Sequence, residues 1–225
     1  MNILVLNYEY PPLGGGAGVI TQNISERLAG LGHRVTVLTT WHQTEKDTEV
    51  KGTLKIIRLK SKRRYTYKSD VFEMLSWINK SKDHFKTFSW SEKFDLCFAN
   101  FTIPGGIVAL NLKNKFALKY VVLSHGHDIP WMFPKQMLFY HLFSYFRIKR
   151  VCLESETNIV LTQETKINID DFLGKKQSSK NIIIPKGTDF TLFKPDYTKK
   201  KQDVQSNFRR QISRTKRSYY FSKSN

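Results

Sequence analysis

The sequence predicts an α/β fold: a parallel, doubly wound sheet with helices on both faces, followed by a flexible basic tail. Three observations carry this. Short, continuously apolar runs recur along the chain, as strands buried on both faces require. Stretches of helical periodicity separate them. After Pro195 the aliphatic residues thin out and Lys, Arg, Ser, Gln and Asn take over, a composition with too little apolar surface to build a core.

The elements follow in order. "NILVLNY" opens the chain as a buried strand. From Ala17 to Leu31, the residues Val19, Ile20, Ile24, Leu28 and Leu31 recur at helical spacing, and Gly30 and Gly32 stop the helix. "RVTVLTT" and "LKIIRLK" are the next strands. A helix from Ser69 to Phe88 places Val71, Met74, Leu75, Ile78 and Phe85 on one side. Then come "FDLCFAN", a helix beginning near Pro104, and the strand "ALKYVVLSHG". A long aromatic helical region leads to "TNIVLTQ", a short helix and "NIIIP". Ligands of such sheets gather beyond the carboxyl ends of the strands, and every motif below sits at such an end.

A length of 225 residues suits one domain with an appendage. Two cysteines, Cys97 and Cys152, speak against a disulfide framework and for a reducing, cytoplasmic setting. No secretory leader is visible, and no apolar run approaches the ~18 residues needed to span a bilayer. The formal net charge is +18, and Lys199 to Asn225 hold nine basic residues against one acid. That balance favours an anionic partner without choosing between nucleotide, nucleic acid and phospholipid.

The first motif is the loop "PPLGGGAG" between the opening strand and the first helix. Glycines ahead of a helix N-terminus allow close approach to free N–H groups at the positive end of the dipole, which fits a phosphate. The dinucleotide spacing fails, because position 19 is Val and the second strand ends in threonines rather than the acid that would hold a ribose. A nicotinamide oxidoreductase is therefore disfavoured. The second motif is "SHGHDIP". His125 and His127 lack a third ligand nearby, so no metal is expected. No G-x-S-x-G elbow supports a hydrolase. The third motif is "IIIPKGTDFTLFKP".

Together these resemble the N-terminal domain of retaining glycosyltransferases of family four, which is the N-terminal Rossmann-like half of a GT-B fold. Tyr10, Pro11, Pro12, Gly15, Gly16, Gly18, Gly32 and His33 match the first family pattern, and His125, Gly126 and Asp128 match its HG-x-D motif. Pro185, Gly187, Asp189, Phe193 and Pro195 match the segment that closes the first domain, with Lys186 and Thr188 where the family carries Asn and Val. The resemblance implies transfer of a sugar from a nucleotide-sugar donor, without a metal or other cofactor, in polysaccharide or glycolipid biosynthesis. Gly15, Gly16 and Gly18 would bind the donor phosphate. His125 and Asp128 would be the catalytic candidates, with His125 near the transferred carbon. Pro185, Gly187 and Asp189 would form the interdomain linker.

The expected organisation is a domain over 1–195 and a basic, disordered tail over 196–225. The family's second domain, with its paired glutamates, has no counterpart, since no Glu follows Glu164. The expectation is a truncated enzyme, inactive alone unless a separate chain carries the C-terminal domain. Partners implied are the nucleotide sugar, a sugar or lipid-linked acceptor, and an anionic membrane surface. The last could meet the aromatic, basic segment Trp131 to Arg150 and the tail, placing the protein peripherally at the inner face. Two alternatives stay open: a catalytically incomplete binding domain, and a nucleic-acid or membrane-surface binder acting through the tail.

Overall fold

The computed structural model describes residues 1–43, 45–87, 93–130 and 138–187. In chain order its elements are β1 (Asn2–Leu6), α1 (Gly16–Gly30), β2 (Arg34–Thr40), β3 (Thr48–Lys51), β4 (Leu54–Leu59) and α2 (Val71–Thr87). They continue with β5 (Leu96–Asn100), α3 (Ile107–Phe116), β6 (Tyr120–Leu123), α4 (Leu138–Glu154), β7 (Thr157–Val160), α5 (Gln163–Leu173) and β8 (Asn181–Ile183). The strands form one sheet ordered β3-β4-β2-β1-β5-β6-β7-β8. The pairs from β4 to β8 are parallel, as expected. Among the described residues only β3, an edge strand not foreseen in the sequence, runs antiparallel, paired to β4. "TEVK" is too short and polar to signal a strand, and it forms because Gly52, at φ +59°, turns the chain back onto β4.

β1 shows how the sheet is covered. Its side chains alternate between faces. Ile3 and Val5 join Val35, Val37, Leu54 and Ile56 in a cluster packed by Leu28 and Ala29 of α1. Leu4 and Leu6 join a second cluster with Trp77, Ile78 and Phe85 of α2 and Val108, Ala109 and Leu112 of α3. Each fully buried aliphatic of this kind is worth about 1.5–3 kcal/mol. A third cluster, Ile148 and Cys152 of α4 with Ile169, Phe172 and Leu173 of α5, covers the β7 end. Cys97 and Cys152 are buried and free.

In two helices the buried set only partly matches the face their periodicity predicts: Leu28 of α1 and Met74, Ile78 and Phe85 of α2 pack inward as expected, but other positions do not. α1 buries Gly18, Thr21 and Ser25, while Val19 and Leu31 lie exposed. Small residues let the helix sit close against the strands beside the glycine loop, and that close approach outweighs burial of the larger aliphatics. α2 buries Glu73, Trp77, Ile78, Ser81 and Phe85 and leaves Val71 and Leu75 exposed. Glu73 goes inward because it closes a reciprocal cap. Its amide donates to Asp70 Oδ1 at 2.8 Å, and its carboxylate accepts from the Asp70 amide at 3.2 Å and the Arg64 amide at 2.8 Å.

Of the aromatic segment Trp131–Arg150, residues 131–137 lie outside the described residues. In α4, Ile148 and Val151 are buried, and Leu142 and Phe146 face outward. Among the described residues no helix is long and apolar enough to cross a membrane. Asp189, Phe193, Pro195 and the basic tail also lie outside the described residues.

Candidate active site

The strand order reverses direction between β1 and β5, from β2 on one side to β6 on the other. Loops leaving the carboxyl ends of β1 and β5 therefore diverge and open a crevice. Three loops meet there: Asn7–Gly15 after β1, Phe101–Gly106 after β5, wound into a kinked helical turn, and Ser124–Pro130 after β6.

The first loop is pinned from below. Tyr10 and Leu13 are buried, and the Leu13 amide donates to the Tyr10 carbonyl at 2.9 Å. Gly14 sits at φ +87°, where a Cβ would lie 2.6 Å from Glu9 Cβ, so this position demands glycine. Its amide donates to the Thr66 carbonyl at 2.7 Å, tying the loop to the segment after β4. There Arg63, with a side chain only 1% exposed, faces the Glu9 carboxylate at 3.7 Å and donates to the carbonyls of Tyr65 and Thr66. Gly15 and Gly16 are different. Both are exposed, nothing lies within 4 Å of a Cβ built on either, and no side chain caps the helix that starts there. They leave the positive end of α1 open to an anion. Gly18 is buried, with the Leu13 carbonyl 3.0 Å from its would-be Cβ, so its smallness serves the packing of loop on helix.

The third loop carries His125 on a turn fastened by Asp128. Asp128 Oδ1 accepts from the Ser124 hydroxyl at 2.8 Å and the His125 amide at 3.0 Å. Its Oδ2 accepts from the Thr102 amide at 2.7 Å, across on the loop after β5. Asp128 is buried, and its oxygens are engaged in holding two loops together. His125 stacks obliquely on Phe101, with ring centroids 4.5 Å apart. Phe101 itself holds φ +63°, a strained left-handed conformation for an aromatic residue. Burial pushes the His125 pKa down to about 4; Asp128 opposes the shift and Lys186 adds to it. The imidazole is neutral at pH 7.

Lys186 thus acts electrostatically on the crevice from the segment after β8, where Pro185 and Gly187 also lie. Beneath the loops runs a buried polar chain that the sequence reading missed. Asn7 at the end of β1, Thr21 of α1 and Asn100 of β5 are all fully buried. Asn7 Nδ2 lies 2.6 Å from Thr21 Oγ1, Thr21 Oγ1 lies 3.0 Å from Asn100 Oδ1, and Asn100 Oδ1 lies 3.3 Å from His125 Nε2. The available signal was an asparagine closing each of two apolar strands, "VLN" and "FAN". A separate hollow of about 430 Å³, lined by Lys93, Phe94, Asp95 and Phe116, lies at the amino end of β5. Asp95 and Lys93 there are bonded to Asn2, which makes it a strand-anchoring corner. Among the described residues no group of three His, Cys, Asp or Glu is placed to hold a metal ion.

A sequence profile described as Glycosyltransferase Family 4 matches residues 14–192. The chain belongs to Glycosyltransferase Family 4. In this family-4 chain the match runs from the glycine loop through the His125 turn and on past β8. No curated protein sequence matches it significantly. Among solved structures, it is similar to sucrose-phosphate synthase from Thermosynechococcus elongatus, at TM-score 0.72 and 18% identity, over 87% of this chain and 50% of that one. The catalytic domain of starch synthase IV from Arabidopsis thaliana, bound to ADP and acarbose, aligns at TM-score 0.61 and 11% identity, over 85% and 52%. WaaG, a glycosyltransferase involved in lipopolysaccharide biosynthesis, aligns at 0.51 and 16%, over 94% and 51%. At these identities the likeness is one of fold. The family-4 chain has the Rossmann-like architecture of one half of a GT-B enzyme, and it spans about half the length of these three structures.

Proposed function

We propose that this family-4 chain is the acceptor-side half of a retaining glycosyltransferase that moves a sugar from a nucleotide-sugar donor to a sugar or lipid-linked acceptor in polysaccharide or glycolipid synthesis. The observation that carries the reading is the crevice itself. It sets the open N-terminus of α1, at Gly15 and Gly16, and the half-buried, neutral His125 on the same edge of one sheet. Sugar transfer needs donors aimed at a departing diphosphate and a polar group beside the reacting sugar, both held rigid before reaction. The free amides of α1 serve the first need, and His125, pinned by Asp128 and Phe101, serves the second. The nucleotide would lie against a second Rossmann-like half, whether on the same or another polypeptide. In this reading Pro185, Gly187 and Asp189 lead the chain toward it. The reaction takes place at the inner face of the membrane, where the aromatic segment and the basic residues meet anionic lipid.

The test is donor use in an enzyme assembled from this chain and a family donor half. Gly16→Val fills the open space at the helix end and should lower kcat/KM for the nucleotide sugar at least tenfold, with the melting temperature unchanged. Wild-type kcat/KM in that variant would remove the phosphate role. The ADP in the starch synthase IV structure supports a nucleoside diphosphate as the leaving group to try first.

A further inference from the structure

Asn100 closes β5 and is fully buried. Its amide has two orientations, and the neighbours choose between them. Nδ2 lies 3.5 Å from the Leu6 carbonyl oxygen, which only accepts; flipping the amide would set two lone pairs against each other. Oδ1 therefore points the other way, toward Thr21 Oγ1 at 3.0 Å and His125 Nε2 at 3.3 Å. The far end of the chain agrees. Asn7 Oδ1 accepts the Glu9 amide at 3.0 Å, so Asn7 Nδ2 donates to Thr21 Oγ1 at 2.6 Å. Thr21 then directs its single proton to the Ala17 carbonyl or to Asn100 Oδ1. In neither case does Asn100 offer His125 a hydrogen. The bond exists only if Nε2 carries one.

We propose that Asn100 is a positioning residue that holds His125 as its neutral Nε2–H tautomer and so reserves Nδ1 as an acceptor for a substrate hydroxyl. The substrate clause rests on the sugar-transfer reading; the tautomer does not. The stack on Phe101 fixes the ring plane, and the Asp128 bond to the His125 amide fixes its backbone. Burial keeps the ring uncharged at neutral pH. A protonated ring would have no lone pair to offer and would set a like charge beside a cation-like sugar.

The test uses the full chain labelled with ¹⁵N-histidine and read by long-range proton–nitrogen correlation at pH 7, with His125 assigned by its loss in His125→Gln. The wild type should show a pyrrole-like Nε2 and a pyridine-like Nδ1. Asn100→Leu should shift the pattern toward a mixture of tautomers. Asn100→Asp should keep the Nε2–H form and raise the ring pKa by about one unit or more, because a carboxylate replaces the amide. An Nδ1–H wild type overturns the inference, as does an unchanged pattern in Asn100→Leu or an unmoved pKa in Asn100→Asp. If Asn100→Leu does not fold, the other two proteins decide. The stated tautomer without sugar transfer in the assembled enzyme would sink the functional reading alone. Transfer with an Nδ1–H ring would sink this inference alone.

Discussion

Thr102 and Asp128 hold each other twice: the Thr102 amide donates to Asp128 Oδ2 at 2.7 Å, and the Thr102 hydroxyl donates to the Asp128 carbonyl at 2.9 Å. Both residues are buried. The loops leaving β5 and β6 are therefore one mechanical unit, with His125 on it. Asp128→Ala would leave the Thr102 amide, the His125 amide and the Ser124 hydroxyl without their acceptor. The expected cost is about 2–4 kcal/mol in urea unfolding. Asp128→Asn, which keeps one acceptor oxygen, should cost less. A change below about 1 kcal/mol in the alanine variant would show that the carboxylate does not fasten the turn.

His125 makes stability depend on pH. Its folded pKa, about 4, lies below the unfolded value of about 6.5. Between those values the unfolded chain binds a proton that the folded chain refuses. The contribution is thus fully present above pH ~6.5 and is lost as pH falls toward ~4, up to about 3 kcal/mol. Comparing wild type with His125→Gln at pH 7 and at pH 4.5 isolates the effect. Equal losses in both proteins would place the imidazole in solvent.

The first and last of the three consecutive glycines should respond oppositely to alanine. Gly14→Ala meets Glu9 and a left-handed backbone, and should destabilise by about 2 kcal/mol or more. Gly16→Ala meets nothing and gains helix propensity, so it should be neutral or stabilising by up to about 1 kcal/mol. Thermal melts of the two variants check this. A destabilised Gly16→Ala would mean that the helix end is already occupied by the chain.

Gly105 carries the β5 loop past its own strand. A Cβ there would collide with the Asn100 carbonyl oxygen, and one on Gly106 would sit 2.5 Å from Val151 Cγ1. Gly105→Ala should cost about 2–3 kcal/mol, since the obstacle is backbone. It should also perturb the His125 ring signals, because Asn100 must move. A stable Gly105→Ala with an unchanged His125 spectrum would contradict this packing.

The sequence by itself determined the parallel sheet, the position of nearly every strand, and two of the loops that line the crevice. Apolar runs such as "RVTVLTT", which is β2 to the residue, can only be buried on two faces, and glycines before a helix leave few alternatives. Local pattern placed Leu28, Met74, Ile78 and Phe85 inward but could not determine the full buried face of α1 and α2, because close approach to the strands favoured Gly18, Thr21 and Ser25, and capping drew in Glu73. Nor could it join Asn7, Thr21, Asn100 and His125. These residues are 14 to 94 positions apart in their contacts with each other and with Leu6, and each alone reads as an ordinary polar residue. Only the reversal of strand order between β1 and β5 brings them together in a site dry enough to set the charge and the proton of one histidine.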